Sequence, residues 1–239
     1  MKLTSLSFAL ATVATLFSGI PLRADYVTTF SVPPYVLDQS VVGIDGWENR
    51  FPPKDDQPSY AARVVALRWN DYKPGLMLRG ASLKRTAFGP MSAEKLKITF
   101  QLAVNFAEGR SGKALRVIFW PATFGEVFFD QGVGGGLGYQ GDGSGMKGQG
   151  TIVVRKDDIQ VNSFYTFTLA LDYGQQTYDI SVAGAKKDGS PFRYKAEGVA
   201  FQPTKTKTTK IDSLLILGTG YLGSLAIESP APNPAKPLP

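Results

Sequence analysis

From Lys95 to Phe106 apolar and polar positions alternate without a fault. Leu96, Ile98, Phe100, Leu102, Val104 and Phe106 share one side; Lys95, Lys97, Thr99, Gln101, Ala103 and Asn105 share the other. Period two over that length predicts a strand with one buried face. Tyr165, Phe167, Leu169 and Leu171 alternate in the same way. After the loop Tyr173-Gly174-Gln175-Gln176, Tyr178, Ile180 and Val182 repeat the pattern, which predicts an antiparallel hairpin. Further strands are expected at Leu115 to Trp120, Glu126 to Phe129, Thr151 to Arg155, Ile211 to Leu217 and Leu222 to Ile227. Beyond the first two dozen residues nothing carries a helical period. Short strands separated by frequent turns predict an all-β sandwich or barrel.

Three segments depart from that pattern. At the N-terminus Lys2 precedes an apolar or small stretch holding Leu3, Leu6, Phe8, Leu10, Val13, Leu16 and Phe17, then Gly19, Pro21 and Ala24. The apolar part is about 15 residues, short of the ~20 that span a bilayer. It reads as a secretory signal peptide, 1–24, cut after Ala24, with Leu22 an imperfect residue at the −3 position. A secreted, periplasmic or cell-surface protein follows, with no membrane span in the mature chain. Gly132 to Gly150 includes Gly134-Gly135-Gly136 and Gly141-Asp142-Gly143. A phosphate cradle needs a helix after it, and Thr151-Ile152-Val153-Val154 is a strand pattern, so a mobile loop over a sheet edge is expected. The end, 229–239, has five prolines in eleven residues and is expected to be a disordered tail. One β domain, 25–228, lies between.

Composition narrows the chemistry. The 239 residues include no histidine and no cysteine. That excludes a Ser-His-Asp triad, a Cys nucleophile, a Cys/His zinc site and any disulfide. The formal charge is +6, but Lys205, Lys207 and Lys210 are spaced through threonines, and Lys186-Lys187 precedes the turn Asp188-Gly189. Neither run interleaves with aromatics, so no nucleic-acid partner is expected.

One stretch has a more particular look: Phe30, then Tyr35-Val36-Leu37-Asp38-Gln39-Ser40-Val41-Val42-Gly43-Ile44-Asp45-Gly46-Trp47. It resembles the opening of secreted bacterial proteins of the concanavalin A-like (LamG-like) jelly-roll superfamily, with Ile44 where Gln is usual. Leu169 to Gly184 is similar to a hairpin of those domains, and Ile211 through Ile227 to their closing strands. The resemblance brackets nearly the whole mature chain. It implies a two-sheet antiparallel jelly-roll sandwich, with Trp47 in its core. The superfamily holds lectins, binding modules, glycosidases and lyases, and fold alone does not choose among them.

Glycosidases need two carboxyl groups, ~5–5.5 Å apart for retention or ~6.5–9.5 Å for inversion. The superfamily's glucanases carry Glu-x-Asp-x-x-Glu on a strand. Here no two acidic residues stand two positions apart. Glu126 and Asp130 are separated by about 13 Å of strand. The superfamily's lyases use Tyr with His or Arg, and His is absent. Catalysis is therefore the third reading, as a polysaccharide hydrolase or lyase. A non-catalytic domain recognising a polysaccharide or cell-surface glycan comes first, and a structural or adhesive surface protein second. Aromatic rings stack on the apolar faces of sugars while polar neighbours take the hydroxyls. The candidate ligand-binding residues are Trp69 and Trp120, each beside a strand end, and Tyr139 with Asp142 in the glycine-rich segment; each could equally be a packed rim residue. Asp45, Asp55-Asp56, Asp142 and Asp157-Asp158 form no dense calcium loop, so no metal and no cofactor is expected.

Overall fold

The computed structural model describes residues 22–50, 62–86, 94–104, 113–120, 125–140, 150–201, 211 and 213–230. Thirteen strands run through them: β1 (Leu22–Thr28), β2 (Trp47–Asn49), β3 (Arg63–Leu67), β4 (Lys73–Thr86), β5 (Lys95–Ala103), β6 (Lys113–Trp120), β7 (Glu126–Asp130), β8 (Gly136–Gln140), β9 (Thr151–Arg155), β10 (Tyr165–Asp172), β11 (Thr177–Ala185), β12 (Pro191–Ala200) and β13 (Ser213–Pro230). The described strand pairs are antiparallel, and the path runs β12-β11-β10-β5-β13-β6-β7-β8-β9.

That path folds on itself at β13 into a two-layer sandwich. Phe100 on β5 meets Phe119 on β6 at 5.8 Å between ring centroids. Phe129 on β7 meets Tyr165 on β10 at 6.0 Å, and Tyr139 on β8 meets Tyr178 on β11 at 6.4 Å. In the first sheet (β12, β11, β10, β5) the strands β11, β10 and β5 thus face β8, β7 and β6 of the second. The alternating side chains fill the gap, with Leu96, Ile98, Phe100 and Leu102 of β5 beside Phe167, Leu169 and Leu171 of β10.

Two long strands belong to both sheets. β13 pairs with β6 through Gly218, then with β5 from Tyr221 onward. β4 runs alongside it throughout the bend. Glycine makes the change of direction possible. Gly218 has φ +113°, and a Cβ there would lie 2.0 Å from the Ala114 carbonyl oxygen. Opposite, Gly80 has φ +58° and its N–H donates to Thr219 Oγ1 at 3.0 Å. The two apolar runs expected as separate closing strands are therefore one strand, 18 residues long, bent at Gly218-Thr219-Gly220.

A second correction concerns the glycine-rich segment. Its residues Gly136–Gln140 are an inner strand buried along its length, between β7 and β9. Glycine serves contact there: Cβ atoms at Gly138 and Gly150 would come within 3.0 Å of the Phe128 ring. The part at 141–149 lies outside the described residues, as do 1–21 and 231–239. β1 spans the expected cleavage point; Tyr26, Val27 and Thr28 beyond it pair with Ile227, Ala226 and Leu225 of β13.

Candidate functional site

The outer face of the first sheet can be read row by row from the register. One row is Arg193, Ala183, Thr166, Gln101, Ser224; the next is Lys195, Ser181, Thr168, Thr99, Ala226. These are small or polar residues, half-buried or exposed. Gln101 Nε2 donates to Thr166 Oγ1 at 3.4 Å.

At one end the face changes character. Tyr221 of β13 stands opposite Ala103 of β5 on one side and Met77 of β4 on the other, and Met77 stands opposite Arg63 of β3. Phe164, just before β10, packs its ring on Gly223, where a Cβ would come within 2.6 Å of it. Trp69 closes the corner. It sits in a single 3₁₀ turn, Arg68–Asn70, that links β3 to β4. The sharp reversal uses left-handed backbone at Asp71 and Tyr72, with φ +49° and +57°, where a short polar residue such as Asp is best suited. The turn swings the indole back over the sheet, 4.9 Å from the Phe164 ring and 5.5 Å from the Tyr221 ring.

Ala103 occupies an outer-face position yet is 0% exposed, and Leu67 is buried too. Neither belongs to the cluster between the sheets. Ala103 stands opposite Tyr221 of β13, whose ring packs with Trp69 in a small aromatic cap that includes Phe164. Trp69 itself is half-buried, so it is held by neighbours while part of it meets solvent. Tyr72 beside it is 66% exposed. Hydroxyl and amide groups of Ser224, Gln101 and Thr166 begin one row away. The arrangement offers a fixed apolar plate beside hydrogen-bonding groups.

The other candidates are placed differently. Tyr139 is in β8 rather than a mobile loop, 7% exposed and turned into the sandwich. Its hydroxyl meets that of Tyr194 at 3.1 Å. Burial, and then the bond to Tyr139, push the Tyr194 phenol up to about 12. Trp120 ends β6 in register with Ser213, in the second sheet. Asp142 lies outside the described residues. Trp69 and Tyr139 are thus on opposite sides of the first sheet, and do not share a groove.

Two polar clusters escaped the sequence reading of the site. On the outer face of the second sheet Glu126 is buried, and one of its oxygens accepts from Arg116 Nε at 2.7 Å and Nη2 at 2.5 Å. Gln140 stands opposite it in β8. The other cluster belongs to the Phe30-to-Trp47 motif. Tyr26 and Tyr35 both donate to Asp45 Oδ2 at 2.7 Å, and Trp47 Nε1 donates to Tyr35 Oη at 3.1 Å. Arg85 donates to Asp45 Oδ1 at 3.4 Å and lies 3.6 Å over the Tyr26 ring. Burial raises both phenols. Burial also pushes the Asp45 carboxyl up, but the two phenols and Arg85 outweigh it and hold the group below its ordinary value. With Trp47 fully buried against Phe30, this is a clasp that fastens the long N-terminal loop to the sandwich. Among the described residues no group of three potential metal ligands is found, and no helix is long and apolar enough to cross a membrane.

No family model matches the sequence, and no curated protein does. Among solved structures, the chain is similar to a carbohydrate esterase from the Shiga toxin-encoding bacteriophage phi24B. The two are 10% identical over 88% of this chain and 100% of that one, with a TM-score of 0.52. It is also similar to a Lotus tetragonolobus seed lectin, at 11% identity over 78% and 98% of the two chains and a TM-score of 0.41. The catalytic domain of a glycoside hydrolase family 131 protein from Coprinopsis cinerea matches at 14% identity over 76% and 80%, with a TM-score of 0.41. At these identities the likeness is one of fold. The fold is an all-β, two-sheet antiparallel jelly-roll sandwich.

Proposed function

We propose that this chain is an exported, non-catalytic β-sandwich that recognises a glycan on the outer face of its first sheet. The observation that carries the reading is the Trp69 cap. A half-buried indole is packed against Phe164 and Tyr221, with Ala103 opposite Tyr221 and Gln101, Thr166 and Ser224 in the adjoining row. A ring fixed before binding loses little freedom when a sugar stacks on it. Neighbouring amide and hydroxyl groups can then take the sugar's hydroxyls. The solved structures above include a carbohydrate esterase, a lectin and a glycoside hydrolase, which agrees with a carbohydrate ligand without selecting one.

The spacing of carboxylates favours binding over hydrolysis. One row of the second sheet's outer face reads Glu48, Lys84, Leu215, Ile118, Glu126, Gln140. Its two carboxylates are four strand spacings apart, about 19 Å, beyond the ~9.5 Å reach of an inverting pair.

A glycan array on the mature chain tests the function. Trp69→Ala should weaken binding of any glycan found by ~1–3 kcal/mol, on the scale of aromatic stacking on bases, with an unchanged circular dichroism spectrum. Full affinity in a folded Trp69→Ala variant would move the site elsewhere. Export has its own test: the secreted product should begin at or near Asp25, and a cytosolic protein starting at Met1 would remove that part of the reading.

A further inference from the structure

We infer that the ligand of the Trp69 face is an acidic glycan, one carrying carboxylate or sulfate groups. The inference rests on the glycan reading above and adds the charge of the partner. It comes from what surrounds the aromatic cap. Arg63, Arg68, Lys73 and Arg79 are all exposed, and no side-chain partner holds any of them among the described residues. From Arg63 to Arg79 the sole carboxylate is Asp71.

The fold gathers these cations around the indole. Arg63 stands opposite Met77, which stands opposite Tyr221, so its backbone is two strand spacings, about 10 Å, from the ring that Trp69 touches. Arg79 follows Met77 by two positions on the same strand. Arg68 is the residue before Trp69, and Lys73 pairs with Leu67, two positions before it.

Elsewhere on the same face Arg193 is also exposed, but three lysines are paired. Lys97 pairs with Glu228 at 2.9 Å, Lys95 with Asp172 at 3.2 Å, and Lys195 with Glu197. These three lysines are neutralised in place, whereas none of the four cations near the cap has a carboxylate partner among the described residues. Arg63 and Arg79, on adjacent strands and two positions off register, stand ~8 Å apart at the backbone, within a Debye length, so this pair repels unless an anion joins it. Guanidinium groups, three of the four, match carboxylate and sulfate oxygens with paired N–H donors. An acidic sugar meets both demands at once, its ring on Trp69 and its anion on the surrounding arginines. A single-stranded nucleic acid would use several plates in series for successive bases, and this face has one indole beside a row of small polar residues.

The test uses the mature chain, with polygalacturonate, alginate and heparin as acidic probes, and dextran and xylan as neutral ones. Affinity electrophoresis at low and at physiological salt reads the binding. The acidic polymers should bind more tightly, with affinity falling as salt rises. Arg63→Glu and Arg79→Glu should each weaken binding about tenfold or more, as expected for loss of a hydrogen bond between charged groups. Arg155→Glu, on β9 at the far end of the strand path, should leave it unchanged. Trp69→Phe keeps an aromatic ring beside Phe164 and Tyr221 and should weaken binding less than Trp69→Ala. Equal binding of neutral and acidic polymers, indifferent to the arginine variants, overturns the acidic ligand and leaves the glycan reading standing. Acidic binding that survives Trp69→Ala in a folded variant marks a mere polyelectrolyte effect and overturns both. Displacement by an oligonucleotide or by phosphatidylserine vesicles of equal charge assigns the face to another partner and also overturns the inference. Silence toward every polysaccharide sinks both readings.

Discussion

The two sheets turn opposite kinds of outer face away from the shared core. On the first, the rows between β12 and β13 hold Thr166, Thr168, Thr99, Gln101 and Ser181, part-exposed residues that alternate cleanly with buried ones. On the second, Ile118, Glu126, Phe128, Gln140 and Leu215 occupy outer positions and are buried as deeply as core residues. They lie outside the inter-sheet cluster. Alternation therefore has two meanings in one molecule. Where one face meets water the period of two is visible in the sequence; where both are buried it vanishes and the strand reads as a continuous apolar run. β7, Glu-Val-Phe-Phe-Asp, is the clearest case.

The sharpest way to break this contrast is to cut the same ring from each sheet. Phe100 points into the sandwich and stacks on Phe167 at 5.0 Å. Phe128 points away from it, over Gly138 and Gly150, and is 0% exposed. Phe100→Ala and Phe128→Ala should each cost ~3–5 kcal/mol in chemical denaturation, the range for a buried aromatic. A loss below ~1 kcal/mol at Phe128 would sit with surface substitutions and return the second sheet's outer face to solvent.

A smaller effect is expected from the charged pair on that face. Glu126→Gln keeps the volume and removes the charge that grips Arg116. Hydrogen bonds to charged groups are worth ~1.5–3 kcal/mol, and Arg116 is partly solvated, so a loss at the lower end is expected. Restoring stability with a second change, Arg116→Met, would show that the cost was an uncompensated cation. No recovery in the double variant would mean that Glu126 acts through its other contacts.

What could be read from the sequence follows the same divide. β5, β10 and β11 were legible because water marks every second residue. Ala103 sat at a polar position of that alternation and is buried opposite Tyr221 of β13, a pairing that no local pattern records. β8 was missed because its glycines, read as signs of mobility, make room for the Phe128 ring. The bend at Gly218-Thr219-Gly220 looked like a turn between two strands, since glycine marks both. The four cations around Trp69 are spread over 17 residues of apolar alternation; only pairing of β3, β4 and β13 brings them to one corner. Trp47, by contrast, was placed correctly as core through the resemblance of its motif.

The N-terminal clasp should be sensitive to acid. The Asp45 carboxyl is held below its ordinary value of 3.8 in the folded chain. A depressed carboxyl stabilises the fold above its unfolded pKa, and that contribution fades as pH falls through the folded value. Wild-type stability should therefore decline below about pH 4 more steeply than that of Asp45→Asn, which should lose ~1–2 kcal/mol at neutral pH from weakened bonds to Tyr26, Tyr35 and Arg85. Parallel acid profiles for the two proteins would detach Asp45 from the linkage. The group belongs to neither outer face, so glycan binding at Trp69 should persist wherever the variant remains folded.

The smallest effect is the one that sharpens the contrast most. Thr99 and Thr168 face each other across β5 and β10 on the first sheet's outer side, one position from Phe100 and Phe167 on the inner. Thr99→Ala removes a β-branched side chain that suits a pleated surface, and little else, because water already reaches the site. A cost within about 0.5 kcal/mol is expected, the range of ordinary surface substitutions. Denaturation of Thr99→Ala beside Phe100→Ala compares neighbours on one strand with only the face changed. If the threonine costs more than half as much as the phenylalanine, the first sheet is covered as the second is. The open row that a sugar chain would follow from Trp69 would then not exist, and the proposed site would shrink to the cap itself.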